Sequence, residues 1–330
     1  MFYISSQGHS ATGWLSRTLS MQPGIVCWHA ARSIPAYGMD NRIVTAQKFA
    51  IGLIRCEEYC FSSKVFGACH GFHGAVMKPY CDEYNGVFLG LIRHPIMRIN
   101  SIFSTFVGSH LTHGLLPVGT DVDPYRLAQE LNPIIDDVFH RMADRDERMS
   151  RDNKRPLRTG MFGLKKSVAA PKTVEGVRSM VSRVSSRMAR ARLKSRYGDD
   201  APSIGSLSEM EVAKGLCRSF LEGCTRTFVS DSEITQACAV EDILKVEEMT
   251  KSQTYFDNSI ILRLIGQNAD KVYLTQAFKV ADRINQHVTP NLDPQEVFSL
   301  WPKSFKEYYI NNYESCMARK VYDQFDYHLR

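Results

Sequence analysis

GVFLGLIRHP, residues 86–95, is the stretch that decides the fold. From Gly86 to Ile92 the run is nearly all apolar, and it stops at Arg93-His94-Pro95. A strand that is apolar at successive positions is covered on both faces, as strands of parallel sheets are. Pro95 suits the first turn of a following helix, because its fixed φ is helical and its missing N–H needs no partner there. The helix is expected to run through Phe106. Arg93 therefore ends a buried strand, at the edge where parallel sheets bind ligands.

The same alternation extends outward. Residues 2–6 (FYISS) read as a short buried strand, followed by a loop over 7–13 and a helix from Trp14 to about Met21, ended by Pro23-Gly24. Ile25–Trp28 is a second strand, Thr45–Cys60 an amphipathic helix on Phe49, Leu53 and Ile54, and Lys64–His70 a third strand. Downstream the pattern is helical after Asp121. A further strand is expected at Asp242–Val246, ahead of Glu247-Glu248, and the tail from Pro302 to Arg330 is aromatic and mostly helical. Strands alternating with helices predict an α/β fold with a parallel central sheet flanked by helices. No internal repeat is visible. The 330 residues are read as a single domain, 1–330, carrying one insertion at 145–200.

That insertion stands out by charge. Arg145 to Arg196 holds sixteen Lys and Arg against four acids, a net of +12, so the rest of the chain carries about −6 of the overall +6. Val174, Val177, Val181, Val184, Met188 and Ala191 recur at spacings of three and four, which fits a basic amphipathic helix. The segment reads three ways: a lid or acceptor surface for an anionic glycan, an interfacial helix on anionic lipid giving peripheral membrane contact, or a solvated and partly disordered loop. Nucleic acid is not expected as a partner, since no aromatic-interleaved platform accompanies the charge. The nine cysteines are scattered without a CxxC pair, which favours neither a disulfide framework nor a zinc ribbon. No run of about 18 apolar residues exists to span a membrane, and the first residues lack the pattern of a signal peptide. A soluble, cytoplasmic protein is the expectation.

Two constellations carry chemistry. Gly8-His9-Ser10-Ala11-Thr12-Gly13 lies between a strand and a helix, where backbone N–H groups and the helix dipole favour an anion. The loop does not fit GxxxxGK[ST], which disfavours a nucleotide-triphosphate site. Arg93 and Ser101 form the second: an arginine fork at a strand end and a hydroxyl eight residues later, about two turns into the next helix, fit one phosphate between them.

Together these motifs resemble the sulfotransferase family that uses 3′-phosphoadenosine-5′-phosphosulfate. The family's Pro-Lys-Ser-Gly-Thr-Thr-Trp-Leu lines up with Gly8 to Leu15, and its Arg-x-Pro with a serine eight residues on lines up with Arg93, Pro95 and Ser101. The resemblance spans residues 2–110 and weakens at 241–265 and in the Trp301–Asp326 tail. It implies a P-loop-like sulfotransferase fold and the phosphosulfate donor as co-substrate, with no metal. The 5′-phosphosulfate would lie in loop 8–13, the 3′-phosphate on Arg93 and Ser101, and adenine on Trp14. The activity implied is transfer of a sulfuryl group to a hydroxyl or amine of a glycan, lipid or small molecule.

Such a transfer needs a base near neutral pKa, for which histidine is suited. The family's Lys-x-His motif lines up with Ala68-Cys69-His70, 23 residues before Arg93, so the resemblance makes His70 the first candidate and His73 the second. Branches with a glutamate base bring in Glu57 and Glu58. His9 occupies the place of the loop lysine, and as an imidazolium it could stabilise the leaving phosphate. Both family lysines being replaced, a nucleotide-binding member without turnover is the alternative reading. A P-loop small-molecule kinase ranks lower, since the loop lacks its lysine and the adjacent magnesium-binding hydroxyl.

Overall fold

The computed structural model describes residues 1–6, 10–29, 46–59, 65–70, 74–111, 124–152, 208–266, 278–279 and 293–328. Among them five strands form one all-parallel sheet: β1 Phe2–Ser5, β2 Ile25–Trp28, β3 Val65–Cys69, β4 Val87–Ile92 and β5 Ile243–Lys245, in the order β2-β3-β1-β4-β5. The expected strands all form, within a residue or two of their expected bounds. The registers Ile4↔Cys69, Ile4↔Leu89, Trp28↔Ala68 and Ile92↔Lys245 align the five carboxyl ends along one edge.

Each strand sends alternate side chains to opposite faces, and both faces are covered. One carries Tyr3, Ala68, Phe88 and Ile92, packed under helices α2 (Ala46–Tyr59), α3 (Lys78–Glu83) and α4 (Pro95–Leu111). The other carries Phe2, Ile4, Leu89, Leu91 and Leu244, packed on α1 (Thr12–Ser20) and on the helical stretch that follows β5. Leu15, Leu19, Leu89 and Leu91 are 1% exposed or less, and burying each such side chain contributes about 1.5–3 kcal/mol.

The fold continues through α5 (Pro124–Glu130) and α6 (Asn132–Asp152) to α7 (Glu209–Ala237), a 29-residue helix lying along α4. Ser208 and Glu211 form a reciprocal capping box at its start. Two glycines allow its close approach. A Cβ at Gly90 would stand 2.3 Å from Ile234 Cγ2, and one at Gly223 3.3 Å from Ile99 Cγ2. Between α4 and α7 the Arg98 guanidinium meets the Asp231 carboxylate with both side chains fully buried, and Tyr322 OH donates to Asp231 Oδ2 at 2.8 Å. The expected basic helix over 174–191 lies outside the described residues, as does the insertion from 153 onward; residues 145–152 end α6.

Candidate functional site

The strand order fixes where a site can form. The chain leaves β1 through α1 on one face and leaves β4 through α4 on the other, although β1 and β4 are neighbours. A crevice opens outside the carboxyl ends of two such strands. All five ends carry polar side chains toward that edge of the sheet: Ser6 after β1, His29 after β2, His70 after β3, Arg93 after β4, and Lys245 with Glu247 at β5.

Over β2, β3 and β1 lies a half built from histidines. Ala11 precedes α1 with φ 55° and ψ 21°, a left-handed conformation that costs an L-residue about 1–2 kcal/mol. Left-handed followed by helical backbone turns successive N–H groups inward to form an anion-binding nest. Ala11 has no side chain to cap them, and α1 carries no acid in its first turn. Ser10 is fully buried, and Ser6 Oγ, also buried, has no hydrogen-bond partner among the described residues. Nothing described lies within 4 Å of where a Gly13 Cβ would stand.

Thr12, the first residue of α1, has its Oγ1 3.1 Å from His29 Nε2. The His29 and His70 rings lie 5.3 Å apart at 76°. His70 is held by its backbone: its N–H donates to Ile4 O at 3.1 Å and its carbonyl accepts from Tyr3 OH at 2.6 Å. His29 is exposed at the rim; desolvation, then the Arg17 charge, lowers its pKa, which favours the neutral imidazole.

Over β4 and β5 lies a half built around Arg93. Desolvation lowers the pKa of its guanidinium, while Glu247 and the Tyr327 hydroxyl oppose that shift and Arg98 reinforces it; the group stays charged at neutral pH. Glu247 is fixed on both oxygens, Oε1 accepting from His94 N at 3.0 Å and Oε2 from Tyr327 OH. The Tyr327 ring stands 4.8 Å from the His94 ring, and Lys245 Nζ lies 5.5 Å above it. His94 is 8% exposed and its Nδ1 has no partner among the described residues. Burial, then the Arg93 charge, pushes its pKa down to about 4.

The expected site residues divide as follows. Ser10, Ala11, Thr12 and Gly13 come together at the start of α1, and Thr12 is linked to His70 through His29. Arg93 directly follows β4, and Ser101 is half-buried on α4, about 9 Å along the axis from Pro95. Trp14 is buried, its ring edge-on to Phe256 and Phe278 at 5.7 Å each. Gly8, His9 and His73 lie outside the described residues. Glu57 is a correction: its carboxylate accepts from Phe66 N at 2.9 Å and from the Met1 amine at 3.0 Å, at the amino ends of β1 and β3. That edge is opposite the site, and the exposed Glu58 follows on the same helix. Neither is placed to act as base. Ala68 is 1% exposed and faces the core under α2 and α4, so a lysine there would be buried away from the edge.

His29, Glu247 and Tyr327 are the site residues that sequence reasoning did not assign a role. Position after an apolar strand could have found His29 and Glu247; only the fold brings in Tyr327. Among the described residues, the start of α1 therefore presents N–H donors after the strand that leads to Ser6, whose Oγ has no hydrogen-bond partner there, and Arg93 follows the neighbouring strand β4. Among the described residues no cluster of three metal-ligating side chains occurs, and no helix is long and apolar enough to cross a membrane. Compared with known proteins, the chain matches no family model, no curated protein and no solved structure.

Proposed function

We propose that this chain is a sulfotransferase of the P-loop-like α/β class, which moves a sulfuryl group from 3′-phosphoadenosine-5′-phosphosulfate to a hydroxyl or amine. The observation that carries the reading is the adjacency of the left-handed turn at Ala11 to the strand ending in Arg93, where the connections reverse. Motifs that stand about eighty residues apart in sequence are thus at neighbouring strand ends, in the order and contexts of the resemblance.

In this reading the N–H groups at the start of α1 and the Thr12 hydroxyl hold the 5′-phosphate, and Arg93 and Ser101 hold the 3′-phosphate. The donor supplies a sulfur that bonds to the acceptor oxygen as its bond to the phosphate oxygen breaks, releasing 3′,5′-adenosine bisphosphate. His70 takes the acceptor's proton. The acceptor is a glycan, lipid or small molecule, and the basic segment at 145–200 would meet it if it is anionic.

A second reading, nucleotide binding without turnover, is favoured by Ala68, whose burial leaves no place for the family's second lysine. Thermal shift with 3′,5′-adenosine bisphosphate against ATP–magnesium tests the class. The bisphosphate should stabilise the protein, and stabilisation by ATP–magnesium alone would overturn the assignment. Arg93→Ala should weaken bisphosphate binding about ten- to hundredfold, the worth of hydrogen bonds to a charged group. His70→Ala should retain binding and lose transfer. Donor turnover equal to wild type in that variant would remove His70 as the base.

A further inference from the structure

Three side chains, one from the first turn of α1 and two from strand ends, meet above β2, β3 and β1, and only two of them have a role so far. Thr12 belongs to the anion-binding turn and His70 is the proposed base. His29 lies between them, its Nε2 3.1 Å from Thr12 Oγ1 and its ring 5.3 Å from that of His70.

The Thr12–His29 bond can run in either direction, and the two directions differ in what Thr12 offers an anion. A threonine hydroxyl has one proton to donate and two lone pairs. If it donates to Nε2, only lone pairs face the anion, and these repel it. If the imidazole carries its proton on Nε2 and donates to Oγ1, the hydroxyl proton is free to point at a phosphate oxygen by the N–H groups of α1. Only the second arrangement lets the hydroxyl help hold the ligand.

We infer that His29 is a positioning residue: through an Nε2–H bond it aims the Thr12 hydroxyl at the 5′-phosphate of the bound nucleotide. The inference rests on the nucleotide reading above. Among the described residues Thr12 and Arg17 of α1 and His70 after β3 face the His29 ring, and desolvation, then the Arg17 charge, lowers its pKa and favours the neutral form. A neutral imidazole has one N–H, so its tautomer decides the direction of the bond. A neutral His29 also places no positive charge beside His70 at the moment that ring takes up the acceptor's proton.

Calorimetric titration of the full chain with 3′,5′-adenosine bisphosphate, on wild type and four variants, tests this. His29→Phe removes the donor, His29→Gln restores an amide N–H near the Nε2 position, and Thr12→Val removes the hydroxyl at equal size. Thr12→Val should weaken binding about tenfold, as loss of a hydrogen bond to a charged group does, and His29→Phe about fivefold, the worth of the neutral bond that orients the hydroxyl. The double variant should bind no worse than Thr12→Val alone, because His29 acts only through the Thr12 hydroxyl. His29→Gln should bind within about threefold of wild type, since a single neutral bond is all that differs. If His29→Phe fails to fold, the retained affinity of His29→Gln beside the loss in Thr12→Val carries the test. Wild-type affinity in His29→Phe, or losses that add in the double variant, would overturn the inference while the nucleotide reading stands. Absence of bisphosphate binding in wild type would overturn both.

Discussion

The two halves of the carboxyl edge are built on opposite electrostatic plans. The arginine half is charged and compensated. Arg93 is offset by Glu247, whose two oxygens are fixed by His94 N and Tyr327 OH, and beneath it Arg98 is matched by Asp231 in the core. In the histidine half, His29 and His70 meet ring to ring, and the Thr12 hydroxyl links His29 to α1. Desolvated charges held in place by the fold can bind an anion without moving, since the cost of organising them is met on folding. Neutral imidazoles near the solvent can gain and lose protons. In the proposed reading both halves hold phosphate, and only the histidine half moves a proton.

The largest expected effect lies under the arginine half. Asp231→Ala would strand the Arg98 cation, whose side chain is fully buried, and breaking a buried pair on one side costs about 3–5 kcal/mol. Replacing both partners by apolar residues, as in Arg98→Met with Asp231→Leu, should return most of that stability, because the desolvation penalty goes with the charges. Urea unfolding measures both. A single variant within about 1 kcal/mol of wild type would show that α4 and α7 do not depend on this pair.

Acid should then find the same half first. His94 has an ordinary pKa of 6.5 when unfolded and about 4 in the fold, where it is buried beside Arg93. Between those values the unfolded chain binds the proton and the folded chain does not, so stability rises with pH across this window. Lowering pH from 7 to 4 should remove about 3 kcal/mol through this residue alone. In His94→Leu the acid loss should shrink by that amount, whereas in His29→Gln, at the exposed rim, it should shrink by far less. Equal pH profiles for wild type and His94→Leu would remove the asymmetry between the halves.

How much of this was legible depended on the length scale of the signal. The strands were readable because each is a short apolar run bounded by Gly, Pro or a polar residue, and GVFLGLI shows its burial on both faces directly. The helix Glu209–Ala237 was not singled out, although Ser208 and Glu211 stand at capping-box spacing ahead of Val212, Leu216 and Phe220. Arg93 and the turn before α1 were visible as motifs. His29 was passed over because one histidine after a four-residue strand carries no pattern of its own; it gains meaning only when β3 is inserted between β2 and β1. The pairing of Arg98 with Asp231, 133 residues apart, and of Glu247 with Tyr327, 80 apart, has no local signature at all. Such contacts depend on the way α7 and the tail return to α4 and β5.

The smallest effect tests the turn before α1, in the histidine half. Ala11 holds φ 55° where the chain leaves the central strand for α1. Glycine would relieve about 1–2 kcal/mol of left-handed strain and would cost about 0.5–1 kcal/mol in unfolded-state freedom. Ala11→Gly should therefore stabilise the protein by no more than about 1.5 kcal/mol and keep the turn, with bisphosphate affinity unchanged. Ala11→Val, β-branched in a region such residues avoid, should lose stability and affinity together. If Ala11→Gly instead weakened the bisphosphate as much as Arg93→Ala does, the alanine methyl would itself take part in holding the turn, and the N–H nest could not be credited to backbone conformation alone. The two variants thus separate what the left-handed backbone contributes from what the side chain at position 11 contributes.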